Sequence, residues 1–134
     1  MTLRRSLFFA IACLLVAAGA AVAHHNMSAI FDFNDRVTLT GTLTKLDWRN
    51  PHIELILDAK TDAKGIVGVH NWSVEGPSPA FFRERDVTKA DFEASLGKPV
   101  TAEASRARDG SRSGLLRTIT LPNGKVVSAC PQNC

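Results

Sequence analysis

The sequence predicts a mainly β protein: a small OB-fold-like five-stranded barrel with a helical connection between strands 3 and 4, after an N-terminal signal helix. Apolar and polar residues alternate over short stretches through most of residues 37–127, as in half-buried strands. One helical stretch divides three predicted strands from two more, which is the order of an OB-fold. The alternative is a small β-sandwich, which rarely places a helical stretch between strands 3 and 4.

Residues 1–23 predict a cleavable signal peptide. A basic start precedes an uninterrupted apolar run at residues 7–16, and the segment ends Ala21-Val22-Ala23, a small-residue cleavage pattern. The alternatives are a retained anchor and lipid attachment at Cys13. We therefore expect cleavage after Ala23, export to the periplasm or the medium, and no membrane span in the mature chain.

The net charge argues against a nucleic-acid-binding protein. The chain of 134 residues, enough for one domain, carries 16 Lys and Arg against 13 Asp and Glu. Two of the arginines lie in the signal segment and leave on cleavage, so the mature chain is nearly neutral. Nucleic-acid binding depends on a strong positive field, and we expect no nucleic-acid partner.

The first predicted strand covers residues 37–43, where apolar residues alternate with Thr and Gly. The apolar phase then shifts to Leu46 and Trp48, which predicts a β-bulge near Thr44-Lys45, because a one-residue slip turns side chains to the other face. Asn50-Pro51 ends the strand.

Two further strands precede the helical stretch. Residues 53–58 alternate apolar with polar, and a third strand is predicted over residues 66–75. In that strand Trp72 lies on one face, with Val67 and Val69 on the other.

The helical connection carries its own start and stop signals. Ser78 is a favourable N-cap before Pro79. Thr88 and Asp91 have the spacing of a capping box. Gly97 fits a helix C-cap.

Two strands follow, over residues 100–105 and 115–121, with a turn at residues 109–114 between them. Asn123-Gly124 predicts a type I′ hairpin. Residues 126–127 should then fold back as a short strand.

The predicted domain organisation has four parts. The signal peptide is followed by an N-terminal arm at residues 24–36, an OB-like domain at residues 37–128, and a tail at residues 129–134. The tail contains Cys130 and Cys134, and an oxidising compartment favours a disulfide between them. Intermolecular pairing and free thiols are the alternatives.

Several motifs together resemble a known family. The most specific are the mature His24-His25 start, Trp48-Arg49-Asn50-Pro51-His52 and Leu121-Pro122-Asn123-Gly124. They resemble the exported bacterial family of unknown function DUF6152, over residues 24 to about 127. The resemblance implies an exported β-rich domain with no assigned activity, brings no catalytic residues, and does not extend to the Cys-containing tail.

Three histidines form the candidate metal site: His24, His25 and His52. Cleavage after Ala23 would free the α-amine of His24, whose pKa of ~7.7–8 leaves a neutral fraction near pH 7. Amine and imidazole together can chelate a metal. Imidazole suits copper, zinc and nickel, and we place copper first. Trp48 is near enough in sequence to shield the site or stack on a cation.

A metal-free role is the alternative. His24 and His25 would then belong to a solvated tail, and the partner would be an envelope component or a small ligand. The candidate ligand surface consists of Trp48, Trp72, Arg106 and Arg108.

Binding is preferred over catalysis. The sequence contains none of the common hydrolase, metalloprotease or phosphate-loop motifs. Asp47 and Glu75 are interpreted as isolated carboxylates at strand edges, so no catalytic residue is assigned.

Overall fold

The computed structural model describes residues 27–130; the predicted signal helix lies outside them. The helices are α1 (Met27–Ile30), α2 (Pro79–Arg83) and α3 (Lys89–Glu93). The strands are β1 (Phe31–Asp47), β2 (Glu54–Thr61), β3 (His70–Glu75), β4 (Pro99–Ala107), β5 (Ser113–Thr120) and β6 (Val126–Ser128). The mainly β prediction is confirmed, with the helical segment between the third and fourth strands.

The described strands form one six-stranded sheet in the order β3-β2-β1-β4-β5-β6. Neighbours in this order are antiparallel. β3 also pairs with β5 in parallel, with Ser73 opposite Ser113 and Glu75 opposite Leu115. This extra pairing brings β3 beside β5.

β1 is longer than predicted and pairs with two neighbouring strands. It begins at Phe31 rather than Val37, inside the segment predicted as an N-terminal arm. Its earlier part pairs with β4 and its later part with β2. The register shifts between Leu43 and Lys45, which confirms the predicted bulge.

The prediction for strand 3 is wrong at its start. β3 begins at His70, not at residue 66. The preceding residues form a loop in which Gly65 and Gly68 adopt positive φ, a conformation that interrupts an extended strand. Val67 and Val69 consequently lie in solvent, with 89% and 57% of their surface exposed, instead of on a sheet face.

The predicted helix starts are confirmed. The Ser78 hydroxyl accepts a hydrogen bond from the Phe81 backbone N–H at 3.3 Å, and Pro79 takes the first helical position. Thr88 precedes α3 as its N-cap. The two short helices bury Phe82 and Phe92 against the sheet.

The hairpin between β5 and β6 is confirmed, but its turn is not type I′. A type I′ turn needs positive φ at both central residues, whereas only Gly124 has positive φ here. The Gly124 N–H donates to the Leu121 oxygen at 2.9 Å, which centres the turn on Pro122 and Asn123. Pro122 excludes the type I′ conformation because its ring holds φ near ~−65°.

The core lies on the inner face of the sheet. It is formed by alternating side chains from all the longer strands and by Phe82, Val87 and Phe92 of the helical segment. Its largest fully buried members are Trp72, Phe82, Phe92, Leu39, Leu43, Ile53, Leu55 and Leu57.

Candidate functional site

A polar cleft of about 270 Å³ opens beside the β1–β2 connection. We call it the His52 cleft. The end of β1, the start of β2, the middle of β3 and the first residue of β5 contribute to it. Its lining residues are Asp47, Arg49, Asn50, Pro51, His52, Ile53, Glu54, Ser73, Glu75 and Ser113.

His52 is held in this cleft by Glu75. The His52 Nδ1 contacts Glu75 Oε1, and each side chain is one third exposed. A carboxylate can only accept, so Nδ1 carries the hydrogen and Nε2 of a neutral ring carries the lone pair. Among residues 27–130, no hydrogen bond to His52 Nε2 is present.

The backbone fixes both residues of this pair. The Ile53 N–H donates to the Pro77 oxygen at 3.2 Å, and the Gly76 N–H donates to the Ile53 oxygen at 2.9 Å. Glu54 on β2 lies opposite Glu75 on β3 in the antiparallel register. His52, one residue before Ile53, therefore meets the end of β3. The interpretation of Glu75 as an isolated carboxylate is wrong.

Two more polar pairs line the same cleft. The Ser73 hydroxyl donates to Glu54 Oε1 at 2.6 Å. Arg49 Nη2 lies 2.9 Å from Asp47 Oδ2, so the carboxylate of Asp47 is not isolated either. The cleft thus combines carboxylates, hydroxyls, an imidazole and one paired guanidinium.

Trp48 does not face this cleft. Its ring centroid lies 5.5 Å from that of Phe82 and 5.4 Å from that of Phe92. These are ordinary aromatic packing distances, and Trp48 packs against the core. The expectation that Trp48 shields a site at His52 is therefore wrong.

Trp72 is no part of a ligand surface. It is 0% exposed and lies in the hydrophobic core. Within the described residues, 27–130, its Nε1 has no hydrogen-bond partner. Burial removes the ring from any partner that approaches from solvent, so this prediction is corrected.

The arginines of the predicted surface contact residues of α1 and of the beginning of β1. Arg106 lies 3.5 Å from Asp35. Arg108 lies 3.2 Å from Asp32, and its Nε donates to the Ser28 oxygen at 2.8 Å. These contacts hold the beginning of β1 to the end of β4, and they occupy groups that an anionic ligand would need.

Arg117 is buried on β5, next to β4. Its Nη1 donates to the Ser105 hydroxyl at 3.0 Å, and its Nε lies 3.7 Å from Glu103. Burial lowers the pKa of Arg117, and the nearby charge of Arg36 lowers it further, against the opposing effect of Glu103. This network is internal and leaves little surface for a ligand.

The predicted metal ligands are only partly placed. His24 and His25 lie outside the described residues, and His52 lies in the cleft. Among residues 27–130, no group of three or more His, Cys, Asp or Glu has the arrangement of a metal site. The three-histidine site stays a prediction.

Cys130 is disulfide-bonded. Cys134 lies outside the described residues, so its pairing with Cys130 stays a prediction. The Ala129 N–H donates to the Arg117 oxygen at 2.8 Å, which fixes the start of the tail against β5.

No helix within residues 27–130 has the length and apolar character needed to cross a bilayer.

Sequence reasoning missed Glu54, Ser73 and Ser113 as cleft residues. Glu54 is the polar residue next to buried Leu55, and Ser73 lies between buried Trp72 and Val74. The alternation marks both as outward-facing, but the β2–β3 register decides that they meet.

Comparison with known protein families places the chain among relatives of unassigned activity. The model of DUF6152, a family of unknown function, matches residues 11–117. The span expected from the motifs, residues 24 to about 127, is corrected at both ends. The motif at Leu121–Gly124 falls beyond the match. No match was found among curated proteins or among solved structures.

Proposed function

The chain belongs to the DUF6152 family of unknown function, and we propose that it is an exported binding domain that holds a transition metal, copper first. The proposed ligands are His24, as the first residue after signal cleavage, with His25 and His52. Binding would combine the His24 α-amine and imidazole with the His52 imidazole. The proposed location is the periplasm or the medium.

The contact between His52 and Glu75 carries this proposal. Histidines that bind metals usually donate their other ring N–H to a carboxylate, which fixes the tautomer and raises the basicity of the ligating nitrogen. His52 makes this contact through Nδ1. The contact leaves the lone pair of Nε2 available in a partly exposed cleft, as a metal ligand requires.

The distance from the beginning of β1 to the His52 cleft is compatible with metal ligands from the residues that precede β1. Phe31 pairs with Ala107 on β4, and the end of β4 pairs with the start of β5. There Ser113 pairs with Ser73, a cleft residue on β3. The path from Phe31 to Ser73 crosses three strand spacings, ~15 Å at ~4.8 Å each.

The chain before β1 is long enough to cover that distance. From Phe31 back to Met27 there are four steps, which rise ~6 Å in a helix at ~1.5 Å each. The three steps from Met27 to His24 add ~10 Å when extended at ~3.3 Å each. Their sum of ~16 Å is the greatest reach of this segment, attained when both parts run toward the cleft, and it matches the ~15 Å path.

We also propose that the sheet closes as an OB-like barrel. The parallel pairing of β3 with β5 supports this, because the strands β1-β2-β3-β5-β4 then return to β1. Closure predicts slow amide exchange at Ser73, whose N–H donates to the Arg112 oxygen at 3.0 Å. Rapid exchange at Ser73, with slow exchange at Leu57 on β2, would indicate an open edge and contradict closure.

The metal proposal is tested on protein exported by a bacterial host. Intact mass first establishes whether the chain begins at His24. Cu(II) titration by calorimetry then compares this form with one that carries three added residues, Thr-Gln-Thr, before His24. A single added residue would make His25 the third residue, and an α-amine, two backbone amides and a third-position imidazole bind Cu(II) tightly by themselves. The longer extension should weaken binding at least about tenfold, because it moves the α-amine away from the His24 ring.

Two substitutions test His52 as a metal ligand and Glu75 as the residue that orients its ring. His52→Ala should weaken Cu(II) binding, and Glu75→Gln should weaken it by about 10–100-fold. His70→Ala is the matched control, since the His70 Nε2 contacts the Val67 oxygen in an exposed loop and should leave binding unchanged. Equal, weak binding by all forms would end the metal proposal.

The alternative is a metal-free ligand-binding module. The surface first considered for it, Trp48, Trp72, Arg106 and Arg108, is occupied by internal contacts. The His52 cleft is the observation that favours this alternative, because it is open and most of its lining residues are polar.

A further inference from the structure

We propose that the His52 cleft binds an amino-sugar unit, a ring that carries hydroxyl groups and an ammonium group, at the end of a glycan. This goes beyond the metal proposal because it requires neither His24 nor His25. The inference rests on the charge, the unused polar groups, the shape and the position of the cleft.

The charge of the cleft selects against anions. Its lining includes the carboxylates of Asp47, Glu54 and Glu75 and one guanidinium, that of Arg49. Arg49 is already paired with Asp47 at 2.9 Å. The surplus of two negative charges would repel phosphates, nucleic acids and acidic polymers, and it would attract an ammonium group.

The unused polar groups match hydroxyls. Glu54 Oε1 accepts from Ser73 at 2.6 Å, but Glu54 Oε2 has no hydrogen bond among residues 27–130. The same holds for the Asn50 amide and the Ser113 hydroxyl in that range. These groups include both donors and acceptors, and a sugar hydroxyl can serve both at once.

The apolar lining is too small for a lipid or a flat aromatic ligand. Pro51 and Ile53 are the only apolar residues among those that line the cleft, and Ile53 is fully buried. Trp48 points into the core. A volume of about 270 Å³ is below the ~300–1,000 Å³ typical of larger ligands, so it suits one ring with the remaining glycan outside.

The position of the cleft supports the same class. It lies between the β1–β2 connection, at Arg49 to Ile53, and the start of β5 at Ser113. In the OB-like closure proposed above, these are the β1–β2 and β4–β5 loops, which bind oligosaccharides in OB-folds.

Calorimetry in a chelating buffer tests the ligand class without metal. The probes are the trimer of glucosamine, which is cationic, and the trimer of N-acetylglucosamine, which is neutral. The glucosamine trimer should bind at least about tenfold more tightly. Equal binding, tighter binding of the acetylated trimer, or no binding of either would overturn the proposal.

Two matched variants test the site. Glu54→Gln should weaken binding of the glucosamine trimer at least about tenfold. Glu93→Gln removes the same charge from α3, where Glu93 pairs with Lys89 at 2.9 Å, and should leave binding unchanged. Equal effects of the two substitutions would place the ligand elsewhere, and thermal unfolding checks that both variants fold.

The two proposals fail independently. The form with Thr-Gln-Thr added before His24 should lose tight Cu(II) binding and still bind the glucosamine trimer. Loss of copper binding alone would remove the metal proposal and leave the sugar site. Copper binding without binding of the glucosamine trimer would remove the sugar site and leave the metal proposal.

Discussion

Asp91 Oδ2 accepts hydrogen bonds from both the backbone N–H and the hydroxyl of Thr88, at 2.8 and 3.0 Å. The pair starts α3 and orients Phe92 into the core. The hydrogen bond from the Thr88 backbone N–H, assisted by the Thr88 hydroxyl and Lys125, holds the pKa of Asp91 below its ordinary 3.8, although partial burial opposes the shift.

This pair makes the free energy of unfolding depend on pH in the acid range. Because the folded-state pKa of Asp91 is lowered, its stabilisation is complete above the ordinary value and is lost as pH falls through the lowered one. Asp91→Ala should reduce the free energy of unfolding at neutral pH by about 1 kcal/mol. In urea unfolding, the difference from wild type should shrink progressively as the pH falls below 3.8. Glu84→Ala, at an exposed position, is the control, and a pH-independent effect of Asp91→Ala would contradict the assignment.

Gly41 is required by the close approach of β1 and β2. A Cβ at this position would lie 2.1 Å from the Asp58 backbone oxygen and 2.5 Å from Ala59 Cα. Gly41→Ala should therefore destabilise the protein by about 3 kcal/mol or prevent folding, because backbone atoms cannot move aside cheaply. Thr40→Ala, at the exposed neighbouring position, should cost far less. Similar unfolding midpoints for the two variants would show that β1 and β2 are farther apart.

Trp48 should behave as a packing residue. Trp48→Ala removes contacts with Phe82 and Phe92 and should cost about 3 kcal/mol, at the lower end for aromatic truncation because Trp48 is only partly buried. Trp48→Phe should cost much less. Under native conditions, Trp48→Phe should leave Cu(II) and sugar binding unchanged. A selective loss of either would show that Trp48 contributes to that binding site.

Asp86 occupies a position that favours glycine. Its φ is 55°, and the Val87 N–H donates to the Phe82 oxygen at 3.0 Å, as at the C-terminus of a helix with a left-handed residue. Asp86→Gly should stabilise the protein by about 0.5–1 kcal/mol. The contact from Lys125 reaches the backbone oxygen of Asp86, so the substitution retains it. Asp86→Ala should give no such gain, and equal thermal midpoints for the Gly and Ala variants would contradict the argument.

Several fold elements could be predicted because their signals are local. The change of apolar phase after Leu43 predicted the bulge, since the side-chain period of a strand is two residues. Ser78 and Thr88 predicted the helix starts because N-cap hydrogen bonds reach only two or three residues along the chain. The third strand was predicted too long because Val67 and Val69 continue an apolar alternation that positive φ at Gly68 interrupts.

The candidate site could be predicted only in part. His52 was identified because it follows Pro51 in a connection between strands. The roles predicted for Trp48 and Trp72 were wrong, because closeness in the sequence does not determine whether a ring faces the cleft or the core. Both rings serve the core.

By itself, the sequence determined the β-rich class, the helical connection, the bulge and the identity of the candidate histidine. Apolar periodicity and helix capping depend on residues that are close together in the sequence. They can therefore be recognised without knowing which distant residues come into contact. Only the tertiary structure decided that His52 meets Glu75 and that Glu54 meets Ser73. Those contacts depend on the register of β2 against β3 and on the pairing of β3 with β5, which side chains far apart in the chain establish together.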